Sequence, residues 1–226
     1  MILKSTLTLL VFTSLPFLAK AQREVPLEQF YGLSVTGNIE VKLEQGEEEK
    51  VVIYTDGIPE DEIHVKVHGG ELKLRVLNSI LYKDEIIRVY VTYKSLSDVR
   101  AQAGAQVYSD QTLQAQDMEL RAASGALVEL DIQAENLQAR ATEGGRLILS
   151  GAVEKQEVMA FTGGQYEASD LECKRSYAKA NTGGEAELVA RELLEASANT
   201  GGAIYYIGDP GTKRTKTVIA GEVKKM

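Results

Sequence analysis

The chain is poor in the residues that most often crosslink a fold or carry its chemistry. Of 226 residues, one is cysteine and two are histidine. A lone cysteine cannot form an internal disulfide, so stability must come from packing. Cys173 has no histidine beside it in sequence and reads as a small structural residue rather than a reactive thiol. His64 and His68 share one face of a strand, about 13 Å apart at roughly 3.3 Å per residue, which is too far to chelate one metal. They read as part of a solvated face, because zinc needs three or four converging donors, and no metal or cofactor is expected. Positive charge is also short, with Lys+Arg at 25 against Asp+Glu at 33. That balance excludes nucleic acid and anionic membrane as partners recognised through general electrostatics.

Long apolar runs are missing too. Lys4, the apolar stretch from Leu7 to Leu18 and the small-x-small end Ala19-Lys20-Ala21 form the pattern of a cleaved secretory signal over residues 1–21. The apolar stretch is too short to span a bilayer, and no later one is long enough, so no transmembrane segment is expected after cleavage. No cysteine lies near the junction, so a lipid-modified N-terminus is not expected. Cleavage removes Lys4 and Lys20 and no acid, which deepens the net charge of −8 by two. The mature chain, 22–226, is expected to be exported: periplasmic, cell-surface or secreted.

What the chain does have is a repeat. A small-residue knot recurs at Ala103-Gly104-Ala105, Ser124-Gly125-Ala126, Glu143-Gly144-Gly145, Thr162-Gly163-Gly164, Thr182-Gly183-Gly184 and Thr200-Gly201-Gly202, its first glycines stepping by 21, 19, 19, 20 and 18 residues. A fixed period of this size means stacked units, none of which can bury its apolar face alone. Three residues before each first glycine stands alanine: Ala101, Ala122, Ala141, Ala160, Ala180 and Ala198. Five before stand Val99, Leu120, Ala139, Val158, Ala178 and Ala196. Three after stand Val107, Val128, Leu147, Tyr166, Ala186 and Ile204, and five after stand Ser109, Leu130, Leu149, Ala168, Leu188 and Tyr206. Positions two apart on a strand share a face, so each unit is a strand, a glycine bend and a second strand, with Gln, Glu, Arg, Lys and Asp pointing outward between the apolar positions.

Helix is the competing reading, since stretches such as Glu185 to Ala198 are rich in Ala, Glu and Leu. The recurring glycines would weaken each helix by about 1 kcal/mol per residue relative to alanine, and the alternation keeps period two on both sides of every bend. The sequence therefore predicts an all-β chain: a parallel β-helix, a single-stranded solenoid with rungs of about 20 residues over 96–226 including a C-terminal cap, preceded by a strand-rich opening with a β-hairpin over 22–95. At the bends, stacked Thr162, Thr182 and Thr200, and Asn181 and Asn199, are expected to form ladders bonded side chain to side chain along the stack.

In the opening part, Val25 to Phe30 and Gly32 to Val35 read as short extended pieces, and Val35 to Leu43 alternates around Gly37 like an early rung. Gln45 to Glu49 reads as a charged solvated turn, and Lys50 to Thr55 as a strand. Ile63 to His68, Gly69-Gly70 and Glu71 to Val76 read as a hairpin with a primed turn, followed by a strand over 85–93. At the far end Gly208-Asp209-Pro210-Gly211 is a turn, Thr212 to Thr217 carries Lys213, Arg214 and Lys216, and Val218 to Val223 repeats the rung in weakened form. The basic tail is placed to cover the open end of the stack.

The early Val35-Thr36-Gly37-Asn38-Ile39-Glu40-Val41 with Gln45-Gly46, the Gly-Gly hairpin, the Thr-Gly-Gly rungs, Gly208-Asp209-Pro210 and Ala220-Gly221-Glu222-Val223 together resemble the putative auto-transporter adhesin, head GIN domain family, over nearly all of the mature chain. The resemblance implies a β-helix with a strand-rich opening, exported by bacteria of the Bacteroidota type, and an adhesin. It carries no catalytic residues over. Ala103-Gly104-Ala105 and Ser124-Gly125-Ala126 depart from it in lacking the double glycine.

Three functions compete. The first is a non-catalytic binding module for glycan or for a cell-surface or matrix protein, with Phe161, Tyr177 and Tyr205 as ring contacts on outward or turn positions. The second is a self-associating scaffold, a homo-oligomer built through ends or a flat face. The third is a carbohydrate-active enzyme, for which Asp170, Glu172, Lys174 and Arg175 are the nearest thing to a cluster, though their alternation fits a charged outer strand equally well.

Overall fold

In the computed structural model, residues 21–55, 58–59, 62–77 and 87–226 are described. The expected signal, apart from Ala21, and the first two residues of the strand expected at 85–93 lie outside them. All regular structure among the described residues is β. The opening holds β1 (Ala21–Pro26), β2 (Gly32–Thr36), β3 (Ile39–Gln45), β4 (Lys50–Thr55), β5 (Ile63–His68), β6 (Glu71–Val76) and β7 (Ile87–Tyr93). The solenoid continues with β8 (Asp98–Gln102), β9 (Gln106–Ser109), β10 (Leu113–Ala123), β11 (Leu127–Thr142), β12 (Arg146–Phe161) and β13 (Gln165–Asn181). It closes with β14 (Glu185–Val189), β15 (Leu193–Asn199), β16 (Ala203–Ile207), β17 (Thr212–Val218) and β18 (Glu222–Lys225).

The columns read through the repeat are the register of the stack. Ala101, Ala122, Ala141, Ala160, Ala180 and Ala198 are successive parallel partners, and none is more than 2% exposed. Parallel in-register pairing superposes equal positions of neighbouring coils about 4.8 Å apart, so small residues meet small ones down the interior. The other apolar columns are buried as well, Ser109 excepted: it is half-buried and its Oγ donates to the Leu43 carbonyl at 3.2 Å.

Each bend divides its work between two glycines. Gly183 adopts φ +70° with nothing within 4 Å of where a Cβ would stand, so its requirement is conformational. Gly184 has no such angle, but a Cβ there would sit 2.0 Å from the Ala160 carbonyl oxygen of the rung below, so its requirement is close approach. The residue before them is also left-handed although it carries a side chain: Thr162 and Thr182 at φ 51°, Thr200 at 47°. This turns their side chains out to solvent and their peptide groups along the stack. The expected side-chain ladders are accordingly replaced by a backbone one, in which the Gly163 N–H donates to the Thr182 carbonyl, Gly183 to Thr200 and Gly201 to Ile219 at 3.0–3.2 Å. Thr182 and Asn199 bond within their own rungs instead.

Departures from period nineteen have local causes. The step of 20 between Gly163 and Gly183 contains a bulge, since Ile148 pairs with Glu167 but Ser150 with Asp170. Where the next rung shortens after Val189, its carbonyl turns inward and accepts from Ser176 Oγ at 2.6 Å and Gln156 Nε2 at 3.0 Å, while the Tyr166 hydroxyl donates to Gln156 Oε1 at 2.5 Å. All three side chains are buried, and their mutual bonding keeps that carbonyl satisfied in the core.

The opening is part of the stack rather than a separate unit. β2 and β3, joined through the Gly37 bend, pair in parallel beneath β8 and β9. β6 and β7 pair in parallel beneath those. The Gly69-Gly70 hairpin forms as predicted, with both glycines at positive φ. Antiparallel β5, β4 and β1 then finish the lower end. The upper end is bare: every residue of β17 is exposed.

Candidate functional site

The outward positions of the strands before the bends form a flat face ruled by columns. Four residues before the first glycine runs Arg100, Arg121, Arg140, Met159, Lys179 and Ser197, paired rung to rung and continued by Lys216. The adjacent column holds Asp98, Glu119, Gln138, Glu157, Tyr177 and Glu195, continued by Arg214. Cations and acids thus stand side by side, and in the lower rungs they neutralise each other. Arg100 bonds Asp98 at 2.5 Å, and Arg121 pairs with Glu119. Burial raises the pKa of the Asp98 carboxyl from its ordinary value despite Arg100, and neither Asp98 Oδ1 nor Arg100 Nε finds a hydrogen-bond partner.

Higher on the same face lies a concavity of about 450 Å³ bounded by Met159, Tyr177, Lys179, Ser197, Arg214 and Lys216. The Tyr177 ring forms part of its wall, with Lys155 Nζ 5.2 Å from the ring centroid. Lys155 is paired to Glu157, and Arg214 to Glu195 at 2.6 Å. Phe161 stands on this same outward face, half-buried, one rung below and four residues along from Tyr177 in register. Tyr205 does not join them. It lies after the bend, its hydroxyl donating to Glu222 at 3.3 Å, and the Glu222 charge raises its pKa.

A larger concavity of about 1070 Å³ runs round the corner, with Ala134, Val153 and Cys173 as its floor. Its rim is bonded to itself. Lys174 pairs with Glu154 at 2.8 Å, and Arg191 grips Glu172 through two bonds of 2.6 and 2.9 Å, which lowers the Glu172 pKa. Two members of the Asp170, Glu172, Lys174 and Arg175 cluster are therefore cross-rung ties rather than converging groups. Burial pushes the Cys173 thiol up, away from the thiolate a nucleophile needs. Both histidines are exposed, and no group of three His, Cys, Asp or Glu side chains able to hold a metal occurs among the described residues.

Reading residues one at a time picked out Tyr177 but missed Arg140, Lys179, Lys216 and Lys155. Numbering from the first glycine exposes Arg140 and Lys179 as one column, a signal already present in the repeat, and Lys216 joins it through its pairing with Ser197.

A family model described as "Putative auto-transporter adhesin, head GIN domain" matches residues 29–210. No curated protein sequence matches the chain. Among solved structures, it is similar to a putative adhesin from Bacteroides fragilis at a TM-score of 0.79 and 18% identity, covering 93% of this chain and 99% of that one. It is also similar to a putative adhesin from Parabacteroides merdae, TM-score 0.71, 16% identity, covering 92% and 97%. A putative lipid binding protein from Parabacteroides distasonis matches at 0.71 and 18%, covering 91% and 96%. At identities this low the structural likeness shows the fold alone. No helix among the described residues is long and apolar enough to cross a membrane.

Proposed function

The chain belongs to the putative auto-transporter adhesin, head GIN domain family, and from that premise we propose that it is an exported, non-catalytic adhesion module that grips glycan on the flat face before the bends. The observation that carries this reading is the placing of Tyr177 in the wall of an exposed concavity on the face that also bears Phe161. Aromatic rings offer apolar faces to the C–H faces of sugars at small conformational cost, and a solenoid face is long enough for repeated contacts. Tyr205, on the next face round the coil, is a secondary contact. Export is supported by the leader-like sequence pattern over 1–21 and by the family's description as adhesins.

The enzyme reading draws no comparable support, because Glu172 and Lys174 are engaged with Arg191 and Glu154. The scaffold reading is disfavoured at the upper end, where β17 turns Lys213, Thr215 and Thr217 toward the axis above Leu194, Ala196 and Ala198. A glycan and matrix-protein array probed with the mature chain tests the proposal. Binding to at least one glycan class, weakened tenfold or more by Tyr177→Ala, is the expected result; silence across the whole array removes the reading.

A further inference from the structure

The cation column changes character as it climbs. Below, Arg100 and Arg121 are neutralised by Asp98 and Glu119. Above, the order becomes Arg140, Met159, Lys179, Ser197, Lys216, one residue per rung, with a cation on every second rung and an uncharged side chain between. Among the described residues no carboxylate lies in ion-pair reach of Arg140, Lys179 or Lys216. The acids beside them are engaged elsewhere, Glu157 with Lys155 and Glu195 with Arg214, and the Arg140 guanidinium rests against Met159 Sδ at 3.1 Å. In a chain of net charge −8, three exposed cations in one line without counter-charge form a local positive strip that attracts anions. Lys179 and Lys216 also border the Tyr177 concavity.

Spacing selects the kind of anion. Rungs lie about 4.8 Å apart, so the cations repeat about every 10 Å along the solenoid axis. One pyranose unit of an extended polysaccharide advances by about one rung. We infer that this strip, resting on the adhesion reading above, binds an acidic polysaccharide with one carboxylate on every second sugar, laid along the axis with its acidic rings at Arg140, Lys179 and Lys216 and its neutral rings at Met159 and Ser197. The Tyr177 ring, in the neighbouring column on the same rung as Lys179, flanks the acidic sugar held there. Both partners keep their charges at the surface, so affinity comes from several weak, salt-screened pairs acting together.

The test titrates the mature chain by calorimetry with three oligosaccharide series of equal length: hyaluronan, with a carboxylate on alternate rings; polygalacturonate, with one on every ring; and neutral dextran. Hyaluronan is expected to bind at least tenfold more tightly than dextran and no less tightly than polygalacturonate. The difference should shrink as salt rises, and should vanish in the doubly substituted Lys179→Gln, Lys216→Gln chain, which keeps the wild-type circular dichroism because neither lysine has a partner to lose. Binding that simply follows charge density, with polygalacturonate tightest, overturns the register argument. Equal binding of hyaluronan and dextran, or undiminished binding by the double variant, overturns the strip, while dextran binding by itself leaves the glycan reading standing. Silence toward all three series, together with a silent array, removes both.

Discussion

At the scale of single residues, the two glycines of a bend fail for different reasons and should fail by different amounts. Gly183→Ala meets no atom but must hold a left-handed angle, for which the penalty is roughly 1–2 kcal/mol. Gly184→Ala puts a methyl inside the contact distance of the Ala160 carbonyl, a backbone atom that cannot step aside, and should destabilise by about 3 kcal/mol or more, or prevent folding. Denaturant melts of the two variants measure this, and equal losses would refute the division. Asp98 supplies a pH dependence. Burial raises its pKa in the folded chain, so the folded state holds this proton to a higher pH than the unfolded state does. As pH rises from the unfolded value through the folded one, the unfolded chain releases the proton first and stability declines. The melting temperature of Asp98→Asn relative to the natural chain should therefore rise as pH is raised from about 4 toward neutrality, and a falling difference would contradict the assignment.

At the scale of elements, β17 shows how a solenoid ends. It pairs on one side with β15 and, among the described residues, leaves its other edge open, the arrangement most prone to adding a further strand. Its axis-facing positions are Lys213, Thr215 and Thr217, where the lower rungs have apolar residues apart from the mutually bonded Gln156 and Ser176, and Lys213 Nζ folds over the last buried tyrosine, 5.9 Å from the Tyr206 ring centroid. A charge that must stay wet stops a second stack from docking there. Replacing Lys213 and Thr215 together by valine should convert the end into an apolar platform and drive concentration-dependent association, seen by light scattering during size exclusion. A double variant no more associated than the natural chain would show that the end is guarded by something else. The lower end needs no such guard, because antiparallel β5, β4 and β1 finish it.

At the scale of the whole molecule, a stack of equal coils converts sequence columns into straight lines on the surface, and this couples the fold to the proposed function. Interior columns are held by packing to alanine and other apolar residues, or to polar ones bonded among themselves as Gln156 and Ser176 are, whereas outward columns are free to vary from rung to rung. The cation line can therefore be neutralised below and open above without disturbing the core. Charge on such a face acts over about 8–10 Å at physiological salt, which is the reach across two rungs and no more.

The repeat in the sequence was enough to determine the β-helix, the buried alanine line and the bends, and Gly69-Gly70 between two alternating runs was enough to determine the hairpin. Each follows from local steric and apolar periodicity, and parallel stacking carries a local period unchanged into space. Phe161 and Tyr177 were legible as outward residues for the same reason. Tertiary structure alone decided that β6 and β7 form the lowest parallel rung, that Thr182 and Asn199 bond within their own rungs, and that Tyr205 faces another way. It also decided which charges are left over. Some pairs join residues two apart on one strand, as Arg100 with Asp98 and Lys155 with Glu157, but others depend on which side chains of neighbouring rungs reach each other, as Glu195 reaches Arg214 and leaves Lys216 alone. That is a matter of geometry between coils, which no spacing along one coil can encode.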